Sequence, residues 1–369
     1  MIRILIATGI YPPDSGGPAT YSKLLNDKLP EKGFQVEVLS FSRFKYLPKI
    51  FRHLAYFLAV LGKGLMVDII YAQDPVSVGL PTMIASKILR KKFVLKIVGD
   101  YAWEQGSQRF EVKDLLDDFS ISDNYSKPVC FLKKIQTKVA NEAVKIIVPS
   151  DYLKKIVTNW GVDGDKIKVI YNAFDEPKVS ESKYSLKDTL SLSGKNIVSV
   201  GRLVPWKGFL TLVGLMPELV KRFPDLKLII VDDGPDREKI EKQIKKLNLE
   251  KSILMLGRLS HQKTLEYIKA SDLFVLNTSY EGFSHLILES MAVETPVITT
   301  SVGGNPEAIE DGESGLLVSY DNKEEIQGAI ERLLVDEKMA RKLAQNAKIK
   351  IKEFNEERML GELSEALNS

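Results

Sequence analysis

The stretch "EGFSHLILESM" sets Glu281 just before an apolar run and Glu289 inside it. An ionised carboxylate beside Leu286, Ile287 and Leu288 costs several kcal/mol unless something hydrogen-bonds it. Glu289 therefore lies on the polar stripe of an amphipathic helix, or it accepts hydrogen bonds from a ligand. Upstream, "GRLVPWKG" sets Arg202 after a strand-like run and Lys207 before a helical one, so a guanidinium and an ammonium can converge on one dianion. "VDDGP" and "SVGGNPEAIEDGESGLLV" add glycines, among them Gly234, Gly303 and Gly304, where a strand gives way to a turn. Near the N-terminus "PPDSGGP" does the same with Gly16 and Gly17. These residue types suit the capture of phosphate and sugar oxygens.

Such groups need a scaffold that brings strand ends together. Runs rich in Val, Ile and Leu alternate with segments of helical period, the mark of βαβ units and parallel sheets. "IRILIATG", "QVEVLSF", "DIIYAQD", "KFVLKIVG", "KIIVPS" and "KIKVIYN" come first, followed by "NIVSVGRL", "KLIIVDDG", "SILMLGRL", "LFVLNTS", "PVITTSVG" and "GLLVSY". A chain of 369 residues exceeds the size of one ordinary core. Two Rossmann-like α/β domains are expected, over 1–174 and 196–351. A polar linker over 175–195 joins them, and a C-terminal helix around 352–369 packs back on the first. Ligands of parallel sheets bind beyond the carboxyl ends of the strands, where Arg202, Asp232, Arg258, Glu281 and Gly303 fall.

Composition removes several classes. A net charge of +3 makes no case for nucleic-acid binding. The single Cys130 excludes an internal disulfide framework and fits a reducing, cytoplasmic setting. "MIRILIATG" has no signal-peptide pattern, and the most apolar stretch, Leu54 to Ile70, is broken by Lys63 and Asp68. That stretch has two readings. Leu54, Leu58, Leu61 and Leu65 form a core stripe, or the helix meets a membrane surface or lipid-linked acceptor, with Arg43, Lys45, Lys49 and Arg52 beside it. His53, His261 and His285 are scattered and no metal motif occurs, so no metal and no cofactor is expected. A dinucleotide oxidoreductase is disfavoured because neither first strand precedes Gly-x-Gly-x-x-Gly.

"GRLVPWKG", "VDDGP", "EGFSHLILE", "VGGNPEAIEDGESGLLV" and "PPDSGGP", in their order, resemble the retaining glycosyltransferases of family 4. The resemblance spans nearly the whole chain. It implies the GT-B fold, two Rossmann-like domains with parallel sheets facing across a cleft, and transfer of a sugar from a nucleotide-diphosphate donor such as a UDP- or GDP-hexose. The acceptor would be a glycan or a lipid-linked molecule. Arg202 and Lys207 would hold the diphosphate, Glu281 the sugar hydroxyls and Glu289 both ribose hydroxyls. Gly282, Phe283, Ser284, His285 and Leu286 would surround phosphate and sugar, Arg258 and Leu259 the base. Gly234 and Pro235 would line the donor loop, and Gly16 and Gly17 would cap the phosphate or sugar from the first domain. Two departures stand out. "KIVGDYAWEQ" has Asp100 near the place of a usual histidine, where it could take over a sugar contact, and Asp232 replaces a usual glycine. The rival readings are an epimerase or phosphorylase on the same fold and a noncatalytic nucleotide-sugar binder.

Overall fold

Every one of those apolar runs forms a strand in the computed structural model, which describes residues 1–14, 16–174 and 179–369. The first six are β1 (Ile2–Thr8), β2 (Phe34–Ser40), β3 (Ile69–Ala72), β4 (Lys92–Lys96), β5 (Lys145–Val148) and β6 (Ile167–Val169). They make one parallel sheet in the order β2-β1-β3-β4-β5-β6. The next six are β7 (Asn196–Val200), β8 (Lys227–Val231), β9 (Ile253–Gly257), β10 (Leu273–Leu276), β11 (Val297–Thr300) and β12 (Leu316–Val318). Their parallel sheet runs β12-β11-β10-β7-β8-β9. Helices cover both faces, which is why Ile4, Leu5, Ile6, Val198, Ile229 and Phe274 are all fully buried. The paired parallel sheets are those of the GT-B type of α/β fold.

The chain divides into two compact units, Met1–Asn172 with Glu356–Ser369, and Ala173–Asn355. In the first, the C-terminal helix Glu356–Asn368 buries Leu363 and Leu367, and Lys92 Nζ donates to the Leu367 carbonyl at 3.0 Å. The expected linker needs correction. Residues 175–178 lie outside the described ones, and Lys183–Thr189 is a helix of the second unit, capped by Ser182. Lys183 and Lys187 pair with Asp272 at 2.8 and 2.9 Å. The polar composition of that stretch reflects ion pairing, not a free tether.

The core-stripe reading of the long apolar helix is also corrected. In the helix Lys49–Gly64 the inward side chains are Tyr56 and Val60, both fully buried, while Leu54 and Leu58 are 55% and 56% exposed and Leu65, just beyond, is 63% exposed. The helix is apolar on both faces, so one apolar face meets solvent. Among the described residues, no helix is long and apolar enough to cross a membrane.

Candidate functional site

In the second unit, the loops that follow β7, β8, β9, β10 and β11 occupy adjacent positions at the carboxyl end of the sheet. Past β7, the Gly201 N–H bonds the Val231 carbonyl at 3.1 Å and the Leu203 N–H bonds the Asp233 carbonyl at 3.1 Å, which carries the ladder with β8 beyond the strands. Arg202 lies between these bonds, exposed, with no ion-pair partner among the described residues. The chain then tightens into a 3-10 turn, Pro205–Lys207, and leaves it through Gly208 at φ 55°. A side chain at Gly208 would begin 2.2 Å from Asn277 Nδ2, so only glycine lets the turn sit against β10. The Trp206 carbonyl accepts the Ser279 N–H at 2.8 Å and lies 3.1 Å from the Thr278 hydroxyl. The turn that carries Lys207 is thereby fastened to the loop that carries Glu281.

The outcome is an ion pair between Lys207 Nζ and Glu281 Oε2, with side chains 12% and 19% exposed. Behind it, Gly303 at φ 63° brings the β11 loop so close that a Cβ there would lie 2.2 Å from the Glu281 carbonyl oxygen. That carbonyl accepts the Gly304 N–H at 2.9 Å. Gly282, Phe283 and Ser284 are buried, and His285 opens the helix His285–Ala292. The Phe283 ring packs 5.2 Å from that of Phe354, so Phe283 has only its main chain to offer a ligand. His285 and Leu286 are partly exposed.

Glu289 has a partner that the sequence did not disclose. Ile287 and Leu288 face the core at 0% exposure, while the Glu289 carboxylate turns to His261 Nε2 at 2.9 Å. His261 opens the helix His261–Ala270, held by Ser260, whose hydroxyl accepts the Lys263 N–H. Its place directly after the β9 loop "GRLS" was the available signal.

In "VDDGP" the residue that departs from the family pattern occupies a backbone region that favours glycine. Asp232 has φ 101°, its N–H bonds the Gly257 carbonyl at 2.8 Å, and its carboxylate takes the Asp233 N–H at 2.7 Å. Just before Asp232, the register between β8 and β9 shifts between Ile230 and Val231, and beyond it Gly234 lies against the Leu203 main chain. Pro235 is exposed. Arg258, largely exposed, reaches Asp232 at 3.7 Å, and Leu259 beside it is partly exposed. Among the described residues, no group of three or more His, Cys, Asp or Glu side chains is arranged to hold a metal ion.

The remaining sequence candidates lie in the first unit. Gly16, at φ 133°, and Gly17 open the helix Gly17–Lys28 and are exposed; Ser15 of the same loop lies outside the described residues. Asp100 is corrected from a sugar contact to a structural group. It is fully buried and caps the helix Tyr101–Arg109, with Oδ1 accepting from the Trp103 N–H at 2.9 Å and from Gln136 Nε2 at 3.0 Å, and Oδ2 from Trp160 Nε1 at 3.1 Å. Burial pushes its carboxyl pKa up, against those donors.

Comparisons with known proteins bear on the family and the fold. The family described as Glycosyltransferase Family 4 matches residues 15–177, and that described as Glycosyl transferases group 1 matches residues 185–350. An N-acetylgalactosamine-N,N'-diacetylbacillosaminyl-diphospho-undecaprenol 4-alpha-N-acetylgalactosaminyltransferase of Campylobacter jejuni is 31% identical over 204 residues, 55% of this chain and 54% of that protein. The N-acetyl-alpha-D-glucosaminyl L-malate synthase of Bacillus anthracis is 29% identical over 200 residues, 53% of this chain and 52% of that protein. The chain spans about half the length of these curated relatives. Among solved structures, Anabaena Alr3699/HepE in complex with UDP-glucose superposes with a TM-score of 0.78 at 21% identity, covering 100% of both chains. Sucrose-phosphate synthase from Thermosynechococcus elongatus superposes with a TM-score of 0.80 at 20% identity, covering 100% of this chain and 98% of that one. With one glycosyltransferase family matched in each half and that fold throughout, the chain belongs to the group 1, family 4 glycosyltransferases.

Proposed function

We propose that this chain moves a hexose from a nucleoside-diphosphate sugar to a glycan or lipid-linked acceptor held by the first unit, with retention at the anomeric carbon and without a metal ion. The Lys207–Glu281 pair carries the reading. Before the donor arrives, each charge holds the other. A diphosphate oxygen entering beside Arg202 takes over the ammonium, and the released carboxylate turns to the sugar hydroxyls. As the bond from C1 to the β-phosphate oxygen breaks, Arg202 and Lys207 offset the negative charge that gathers there, a task a divalent ion performs in other transferases. The acceptor oxygen bonds C1 on the face the diphosphate leaves. Its proton passes to the departing phosphate oxygen, so no enzymic nucleophile is required. Glu289, with His261 beside it, accepts the ribose hydroxyls.

UDP is the nucleotide to test first, because the HepE structures hold UDP and UDP-glucose. Glu281→Gln should lower turnover about a hundredfold while leaving affinity for free UDP unchanged. Glu289→Gln should weaken UDP by about 1.5–3 kcal/mol, the worth of hydrogen bonds to a charged group. A reversed pattern, read by calorimetry and UDP release, refutes this arrangement of the donor. UDP release that needs no acceptor would favour the epimerase or phosphorylase reading.

The acceptor side of the proposal includes a peripheral contact of residues 43–66 with an anionic membrane at its cytoplasmic face. Between Phe41 and Val67 the chain carries Arg43, Lys45, Lys49, Arg52 and Lys63 and no carboxylate, while Leu54 and Leu58 point outward.

A further inference from the structure

Beneath the helix Gly17–Lys28, the first unit buries a row of polar side chains. The register aligns Ala7, Ala72 and Leu95 on the adjacent strands β1, β3 and β4, so the next residues in each, Thr8, Gln73 and Lys96, form one row at the carboxyl end of the sheet. Their exposures are 0%, 5% and 3%. The covering helix supplies Ser22, whose hydroxyl lies 3.0 Å from Thr8 Oγ1 and 2.7 Å from Gln73 Oε1, and Tyr21, whose ring centre is 3.5 Å from Lys96 Nζ. The Tyr21 hydroxyl lies 3.2 Å from that of Tyr71.

Two features of this row are unbalanced. Gln73 Nε2 is buried without a hydrogen-bond partner. Lys96 has three N–H groups and bonds only Asn172 Oδ1, at 3.3 Å, with no carboxylate paired to it among the described residues. The acids nearest the row along the chain are spent on other donors: Asp74, next to Gln73, on the N–H groups of Val76 and Val78, and Asp100 on Trp103, Gln136 and Trp160. Tyr21 lies beside the ammonium and Tyr71 beside Tyr21, and burial raises the pKa of both, so both stay neutral. Burial draws the Lys96 pKa down to about 7. Folded chains pair their buried charges, and an unpaired donor beside an unpaired cation calls for an oxyanion. The position also fits a ligand. With β1 beside both β2 and β3, the strand order reverses between β1 and β3, the place where open α/β sheets bind ligands.

We propose that the Thr8–Gln73–Lys96 row is an anion subsite of the first unit, which recognises an oxyanion such as a phosphate ester carried by the acceptor. Lys96 supplies the charge and Gln73 Nε2 a directed hydrogen bond. The word "acceptor" rests on the function proposed above; the anion subsite does not.

The test reads Lys96 itself. In the full chain with 13C-labelled lysine, its ε-carbon signal, identified by its loss in Lys96→Gln, is followed from about pH 5 to about pH 10. Sulfate, which keeps its charge over that range, methyl phosphate and glucose are each added in turn. Sulfate and methyl phosphate should raise the midpoint by about one unit or more, and glucose should leave it in place, because only an anion favours the charged ammonium. Gln73→Leu should weaken both anions about tenfold or more while leaving the anion-free midpoint unchanged. A midpoint that neither anion moves overturns the subsite. One that sulfate moves and methyl phosphate does not overturns the ester, and with it the link to an acceptor. Should both anions act while no sugar transfer is found, the subsite stands and the transferase reading falls.

Discussion

Replacing Gly303 with alanine should damage both the fold and the site, by an amount that a second glycine can calibrate. At Gly303 the backbone has φ 63°, and the new Cβ would begin 2.2 Å from the Glu281 carbonyl oxygen and 3.0 Å from its nitrogen. Those atoms belong to main chain and cannot rotate away, so the two loops must part by about 1 Å to restore ordinary contact. Gly312 has φ 73° with nothing within 4 Å of its would-be Cβ. Gly312→Ala therefore meets only the left-handed strain, about 1–2 kcal/mol. Gly303→Ala meets that strain and the loop separation together, about 3–4 kcal/mol. Urea unfolding of the two variants isolates the difference. Turnover adds a second reading, since a shift of about 1 Å in Glu281 should cost about a hundredfold while Gly312→Ala leaves the rate unchanged. Equal unfolding midpoints for the two alanines would refute the close approach on which this account of Glu281 rests.

At position 232 the ordinary preference for alanine over glycine should invert, with Asp232→Gly unfolding at higher urea than Asp232→Ala by about 1 kcal/mol, because φ is 101° there. Lys96→Met should stabilise the protein at neutral pH by a few kcal/mol. The folded pKa of about 7 lies below the ordinary 10.5, so the cost of Lys96 is fully present below about pH 7 and fades as pH rises toward 10.5; the gap between wild type and variant should close over that window in urea melts. With anionic vesicles at low salt, the wild type should pellet, whereas the Leu54→Glu, Leu58→Glu double variant should stay in the supernatant with an unchanged melting temperature. A wild type that fails to pellet removes the membrane contact.

The strands were legible because a parallel sheet covered on both faces demands unbroken apolar runs, and "KLIIVDDG" or "LFVLNTS" leaves little else to form. The strand-end residues followed from the same logic, and Lys207 and Glu281 meet although 74 positions separate them. What escaped depended on which of two faces turns inward, or on partners from distant segments. The helix Lys49–Gly64 is apolar at Leu54 and Leu58 and again at Tyr56 and Val60, so periodicity offered two equivalent cores and no means of choice. Asp100 occupies a strand end, as a ligand-binding residue would, yet Gln136 and Trp160 claim its oxygens. His261 gave no sign of Glu289, since neighbouring helices, not sequence proximity, join them. Lys183 and Lys187 looked like solvent-facing linker until Asp272 drew them onto the second unit.

The Lys207 turn is secured chiefly through the Trp206 carbonyl, which meets the Ser279 N–H and the Thr278 hydroxyl. A carbonyl is the same whatever residue bears it. Neither of these two bonds depends on the side chain at 206, provided the β10 loop keeps its course. Position 278 is less free, because its hydroxyl also lies 2.7 Å from the Tyr280 carbonyl, inside the loop that leads to Glu281. Variation tolerated at 206 but confined to serine or threonine at 278 would be the imprint of a cation hung from the main chain of its neighbour, and a means of altering the entrance to such a site while leaving its charge in place.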